Sequence, residues 1–217
     1  MLNKLQILCV GLAAFLSAAQ ADAQFALSAG ASFPLSAYTD NGRGNYYSQL
    51  RIGFDIGAQY NYSLTEHLDA IAGVNFIRHG LGKMAKNQMG YNYSVYPSYL
   101  NLAMMLGAAW KIDFEGEGFL NPEHHAFVEA RLGANCSTVS RAVYTDGNGA
   151  EQTTRYGCAW RPCWSAGAGL KFTAHSSISL RYLDLGCGKV SVNEKGNGDA
   201  SVSYSPQVFE VLYSYNF

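Results

Sequence analysis

From Phe25 onward the chain alternates apolar residues with small or polar ones at a period of two. Phe25, Leu27, Ala29, Ala31 and Phe33 form a first run. Leu50, Ile52, Phe54, Ile56, Ala58, Tyr60 and Tyr62 form a second, interleaved with Arg51, Gly53, Asp55, Gly57, Gln59 and Asn61. Strict alternation predicts β-strands with one apolar face. Six more runs obey the same rule: Leu68 to Phe76, Leu100 to Trp110, Ala126 to Ala134, Trp164 to Phe172, Ile178 to Tyr182, and Phe209 to Phe217. The pattern predicts an all-β chain of eight antiparallel strands.

The connections differ by position. Strands two and three, four and five, and six and seven are joined by Ser63 to His67, Lys111 to His125 and Ala174 to Ser177. The other connections are longer and rich in Gly, Asn, Ser and Tyr. Short turns on one end and long loops on the other predict an up-and-down barrel across a membrane. The Lys111 to His125 connection is longer than that pattern prefers.

Charge sharpens the picture. The chain has 217 residues and only 14% are charged, with Lys+Arg 15 against Asp+Glu 16. A net charge of -1 gives no surplus for neutralising phosphates, so nucleic acid is not an expected partner. A hydrophobic fraction of 48% excludes disorder, and no long apolar run beyond the N-terminus predicts a membrane helix. In the strands, the parity opposite the apolar one carries Arg51, Asp55, Asp69, Glu129, Arg131, Lys171, Arg181 and Glu210, four positive and four negative. It also carries Gly30, Gly53, Gly57, Gly73, Gly133, Gly167 and Gly169. An eight-stranded barrel has an interior just wide enough for side chains, so these residues predict a lumen filled by a salt-bridged network. Tyr60, Tyr62, Trp110 and Phe217 at one set of strand ends, and Phe33, Phe76 and Trp164 at the other, predict aromatic belts at the two interfaces. Arg78 and Asp184 share the apolar parity and are placed beyond the apolar band.

The first residues form an address. Met1 to Lys4 carries one positive charge, Leu5 to Ala19 is a short apolar core, and Ala21-Asp22-Ala23 is a small-x-small site. Cleavage between Ala23 and Gln24 is expected, making residues 1-23 a signal peptide and 24-217 a single barrel domain. The chain is thus expected to enter an oxidising compartment.

At Phe25-Ala-Leu-Ser-Ala-Gly, Tyr99-Leu100-Asn101-Leu102, Ser179-Leu180-Arg181-Tyr182 and the terminal Tyr213-Ser214-Tyr215-Asn216-Phe217, the chain resembles the outer-membrane β-barrel proteins of Gram-negative bacteria, in particular the small eight-stranded porin-family barrels. The resemblance runs from Phe25 to Phe217. It implies an outer-membrane location with both termini in the periplasm. It also implies that Tyr213, Tyr215 and Phe217 form the C-terminal signal presented to the assembly machinery. Shared catalytic residues are not implied.

Four cysteines follow the address: Cys136, Cys158, Cys163 and Cys187. A hairpin centred on His175 sets Cys163 opposite Cys187, and one centred on Gly147 sets Cys136 opposite Cys158, so these two disulfides are predicted. Other motifs point to no cofactor or metal. Gly80-Leu81-Gly82-Lys83 and Gly186-Cys187-Gly188-Lys189 lack the flanking residues of a phosphate loop. Asp146-Gly147-Asn148-Gly149 lacks the later ligands of a calcium loop and is read as a hairpin turn. Glu123-His124-His125 is read as a solvated turn. His79 and Asp184 near the outer rim lack a placed nucleophile, so no enzyme is predicted.

The expected role is structural or surface-interacting, through Tyr38 to Tyr47, Met84 to Tyr99, Thr138 to Tyr156 and Lys189 to Tyr204, meeting an extracellular ligand. Outer-membrane lipid is the expected surround and a monomer the expected state. The alternatives are a narrow channel for ions or small solutes and, further off, a secreted lipocalin-like carrier.

Overall fold

The computed structural model describes residues 23–35, 51–80, 92–113, 124–145, 149–194, 197–204 and 206–217. The predicted signal peptide, apart from Ala23, lies outside the described residues. So does the Tyr38 to Tyr47 loop. Thirteen strands are described: β1 (Ala23–Pro34), β2 (Gly53–Ser63), β3 (Leu68–Gly80), β4 (Asn92–Val95), β5 (Ser98–Asp113), β6 (His125–Val139), β7 (Ala142–Thr145), β8 (Glu151–Tyr156), β9 (Cys158–Lys171), β10 (Ser176–Asp184), β11 (Gly188–Glu194), β12 (Asn197–Tyr204) and β13 (Gln207–Asn216).

Eight of these strands close a barrel in the order β1-β13-β10-β9-β6-β5-β3-β2. Each is antiparallel to both neighbours, and β1 pairs with β2 on one side and β13 on the other, so the barrel has no open edge. They coincide with the eight alternating runs of the sequence. Strands such as β3 (13 residues), β5 (16) and β6 (15) exceed the roughly 9–11 residues that a tilted strand needs to cross a bilayer.

The faces are inverted relative to a water-soluble protein. Leu106 is 69% exposed and Leu132 72%, whereas Arg181 is 2% exposed and Glu210 0%. Apolar side chains looking outward and charges looking inward are stable together only where the surround is hydrocarbon. Two aromatic belts border the apolar band. Phe25 lies tilted to Phe217 with ring centroids 6.0 Å apart, Tyr215 meets Phe217 at 5.1 Å, and Phe172 meets Tyr213 at 6.4 Å. At the opposite rim Phe54 lies 6.2 Å from Phe76, and Trp164 lies 5.3 Å from Tyr182. Amphipathic rings favour these depths because one edge is wet and the other apolar.

The two ends differ as the sequence pattern implies. At one, residues 64–67 make a tight turn in which Leu64 N donates to Leu68 O at 2.8 Å, and residues 172–175 make another in which Phe172 N donates to Ser176 O at 3.0 Å. At the other, the long connections carry a second sheet of five strands in the order β12-β11-β8-β7-β4. Sequence reading treats these stretches as loops. Their short alternations, such as Val190-Ser191-Val192 against Ala200-Ser201-Val202, instead pair across a hairpin. β7 and β8 also pair, from Ala142 with Thr154 to Thr145 with Glu151, and residues 146–148 of the predicted turn lie outside the described residues.

Candidate functional site

The interior is the place where this fold concentrates chemistry, and it divides into three layers. The middle layer is charged. Arg131 Nη2 donates to Glu129 Oε2 at 2.6 Å, and Arg181 Nε donates to Glu129 Oε1 at 2.8 Å. Arg181 Nη1 lies 3.8 Å from Glu210 Oε2. Arg131 also donates to Gln59 Oε1 at 2.9 Å, and Asn75 Nδ2 donates to both oxygens of Asp55, at 3.0 and 2.9 Å. Asp55 and Glu210 flank β1, opposite Gly30 and Ser32. Three carboxyls thus surround two guanidiniums, all buried. Glycines make room for them: a Cβ placed on Gly107 sits 2.7 Å from Arg131 Cα, inside any real contact distance.

Three residues assigned to this network by parity stand elsewhere. Asp69 pairs with Lys111 at 2.7 Å at the short-turn end, with Ser63 Oγ also donating to Asp69 at 2.7 Å. Lys171, at the same end, donates to Gln24 Oε1 at 3.4 Å. Arg51 precedes β2 at the opposite rim and is exposed. Parity gives the face of a residue and not its height along the barrel, so strand-end charges were grouped with central ones.

The outer layer, towards the long connections, is apolar, which the sequence reading missed. Ile77, Ala103, Met105, Cys163, Leu183, Leu185 and Val208 form one buried cluster inside the barrel. Leu185 belongs to the connection after β10 and bends inward over the mouth. Its amide donates to Pro206 O at 2.9 Å and its carbonyl accepts from Asn135 Nδ2 at 3.0 Å. Ser137 Oγ donates to Asn101 Oδ1 at 2.7 Å beside it. Gly186, with φ 81°, supplies the left-handed turn that leads the chain back out. His79 also lies here, buried in β3 with Nε2 3.1 Å from Ser32 Oγ. Asp184 is turned to the Gly186 amide at 2.8 Å and is not joined to His79.

The third layer, at the short-turn end, is an open chamber of about 100 Å³. Small inward residues such as Ala109 and Ser177 leave it unfilled, while Gln59, Asn61, Phe127 and Asn216 line it. Parity marks the inward glycines as packing space and gives no sign that Ala109 and Ser177 leave a chamber at this end.

Of the predicted disulfides, Cys136–Cys158 is formed, with Cα atoms 6.2 Å apart, on the outward face at the base of the long β6–β9 connection. The bridge is diagonal, since Cys136 is registered with Trp160 and Cys158 with Thr138. The Cys163–Cys187 bridge is not formed, and Cys163 is a buried thiol. The β9–β10 ladder runs two residues out of the expected register: Ser165 opposes Leu183 and Ser177 opposes Lys171. That shift carries Cys187 past the end of β10, beyond the Gly186 turn.

No family model matches the sequence, and no curated protein matches it. Solved structures do share its fold. Ail, the attachment invasion locus protein of Yersinia pestis, in complex with the heparin analogue sucrose octasulfate, superposes with a TM-score of 0.52 at 13% identity, covering 91% of this chain and 100% of that one. Another crystal structure of Ail gives 0.51 at 11% identity with the same coverage. The outer membrane protein OprG from Pseudomonas aeruginosa gives 0.49 at 12% identity, covering 90% of this chain and 96% of that one. Together with the closed meander, the lipid-compatible exterior and the charge-filled interior, the likeness to Ail makes this fold that of a small eight-stranded outer-membrane β-barrel.

Proposed function

We propose that the barrel is a closed membrane anchor and that the working surface is the five-stranded sheet of the long connections, displayed outside the cell to meet an external partner. The observation that carries this is the filled lumen. A buried charge layer and an apolar layer capped by Leu185 lie in series across it, so a solute faces both a desolvation barrier and a steric one. A channel protein keeps a hydrated path, which these two layers oppose.

The remaining assignments fit the same reading. Cleavage between Ala23 and Gln24 removes only the first residue of β1, Ala23, and leaves the remaining eleven in place. Recognition of Tyr213, Tyr215 and Phe217 by the assembly machinery suits their place on the closing strand, where Phe217 N donates to Phe25 O at 2.8 Å. A closed barrel satisfies all its ladder hydrogen bonds alone, which supports a monomer.

Intact cells test the display. External protease is expected to cut within residues 140–157 or 185–206 while the barrel core survives and fractionates with outer-membrane lipid. Recovery of the full-length protein in a detergent-free soluble fraction would contradict the proposal and favour a secreted carrier.

A further inference from the structure

The outer half of the lumen holds the buried apolar cluster with Leu185 over it, whereas the short-turn half holds an open chamber, where the small inward residues Ala109 and Ser177 stand among Gln59, Asn61, Ile71 and Phe127. Its charges are already matched inside the protein. Lys111 is held by Asp69 at 2.7 Å, and Glu129 on the floor is held by Arg131 and Arg181 at 2.6 and 2.8 Å. Lys171 stands at the rim and donates to Gln24 Oε1 at 3.4 Å. What the wall offers a guest is the remaining capacity of its carboxamides. Gln59 already accepts from Arg131 at 2.9 Å and donates to Asn61 Oδ1 at 3.1 Å, and Asn216 Nδ2 donates to His175 O at 3.4 Å, which leaves each of the three a second N–H and a second lone pair beside the Phe127 ring.

We infer that this chamber binds a single uncharged sugar ring bearing hydroxyl and amide groups, an N-acylated amino sugar, entering from the short-turn side. Hydroxyls and amides match carboxamides group for group, since each side both gives and accepts hydrogen bonds. An ion finds no such match, because every full charge deep in the chamber is already paired and a second one there would be desolvated without a partner. At about 100 Å³ the chamber is smaller than the ~150 Å³ cavity that takes up a benzene, so the ring sits across the open mouth with one edge inside, and a longer glycan lies outside. The inference rests on the proposed orientation only for the compartment that supplies the sugar.

The test is a titration of the refolded full-length barrel in lipid nanodiscs with N-acetylglucosamine, followed by amide nitrogen-proton spectra. Saturable shifts are expected at Gln59, Asn61, Phe127 and Ser177, and none at Asn101 or Asn135 in the packed half. Ala109→Phe fills the chamber from β5 and is expected to weaken binding at least tenfold. Ala108→Phe, its neighbour on the lipid face, is expected to leave binding unchanged. Heat-modifiable migration on gels establishes that each variant is folded. Should Ala109→Phe not fold, Ser177→Phe fills the chamber from β10. Shifts that do not saturate, binding that survives the filled chamber, or tighter binding of acetate than of the sugar would each overturn the inference. Conductance is a separate measurement, so a barrel that conducts refutes the closed-anchor reading without deciding this one.

Discussion

Leu132 and Arg181 occupy positions that a soluble protein would exchange. Leu132 stands outward between Leu106 and Trp164 on β6, and Arg181 stands inward between Gly167 and Glu210 on β10. Leu132→Arg is expected to destabilise the bilayer-folded barrel by about 2–4 kcal/mol, the cost of a cation near the bilayer midplane. In a soluble sandwich the same exposed substitution is nearly neutral. Arg181→Met is expected to cost about 3–5 kcal/mol, because Glu129 and Glu210 lose a buried counter-charge together. Glu210→Gln is expected to cost under about 1 kcal/mol, since it brings three carboxyls and two guanidiniums to two of each. Urea titrations followed by tryptophan emission in vesicles measure all three. A larger loss for Glu210→Gln than for Arg181→Met would contradict the assigned pairing.

Strands were legible in the sequence because lipid and lumen impose opposite chemistry on successive residues, and registers were not. A ladder that slips by two residues keeps every side chain on its face, so alternation cannot detect it. This is why Cys163 was set opposite Cys187 while the ladder pairs Ser165 with Leu183. The apolar lumen layer was hidden for a related reason. Ile77 follows Phe76, Met105 follows Met104, and Leu183 follows Tyr182, so each inward apolar residue looked like part of an outward run. The connections were read as loops because their strands are short and lean on one another rather than on a core. At this scale the Cys136–Cys158 bridge is the testable device. It staples β6 to β9 beneath β7 and β8, with a sequence separation of 22. Cys158→Ser is expected to cost about 3 kcal/mol by the loop-closure scale for bridges of this length. A matching loss should appear when the wild type is reduced. Peptide mapping under non-reducing conditions should return the Cys136–Cys158 linkage and no Cys163–Cys187 linkage; the reverse result would contradict the register.

The whole molecule is a barrel whose middle is solvated by lipid outside and by its own charges inside. Low overall charge, which in the sequence excluded nucleic acid and disorder, has a structural origin: only the lumen, the rims and the connections can carry it. The closed meander removes sheet edges, the aromatic belts set its depth, and the long connections stand clear as a separate sheet. Sealing is a property of two layers acting in series, the Glu129-Arg131-Arg181-Glu210 network and the Leu185-capped apolar cluster, so it belongs to no single residue. The most direct test of the central claim is therefore the conductance of the purified, heat-modifiable barrel in a planar lipid bilayer. The membrane is expected to stay at its baseline current when the folded protein inserts. Steady, protein-dependent unitary openings would contradict the closed anchor and establish a channel in its place.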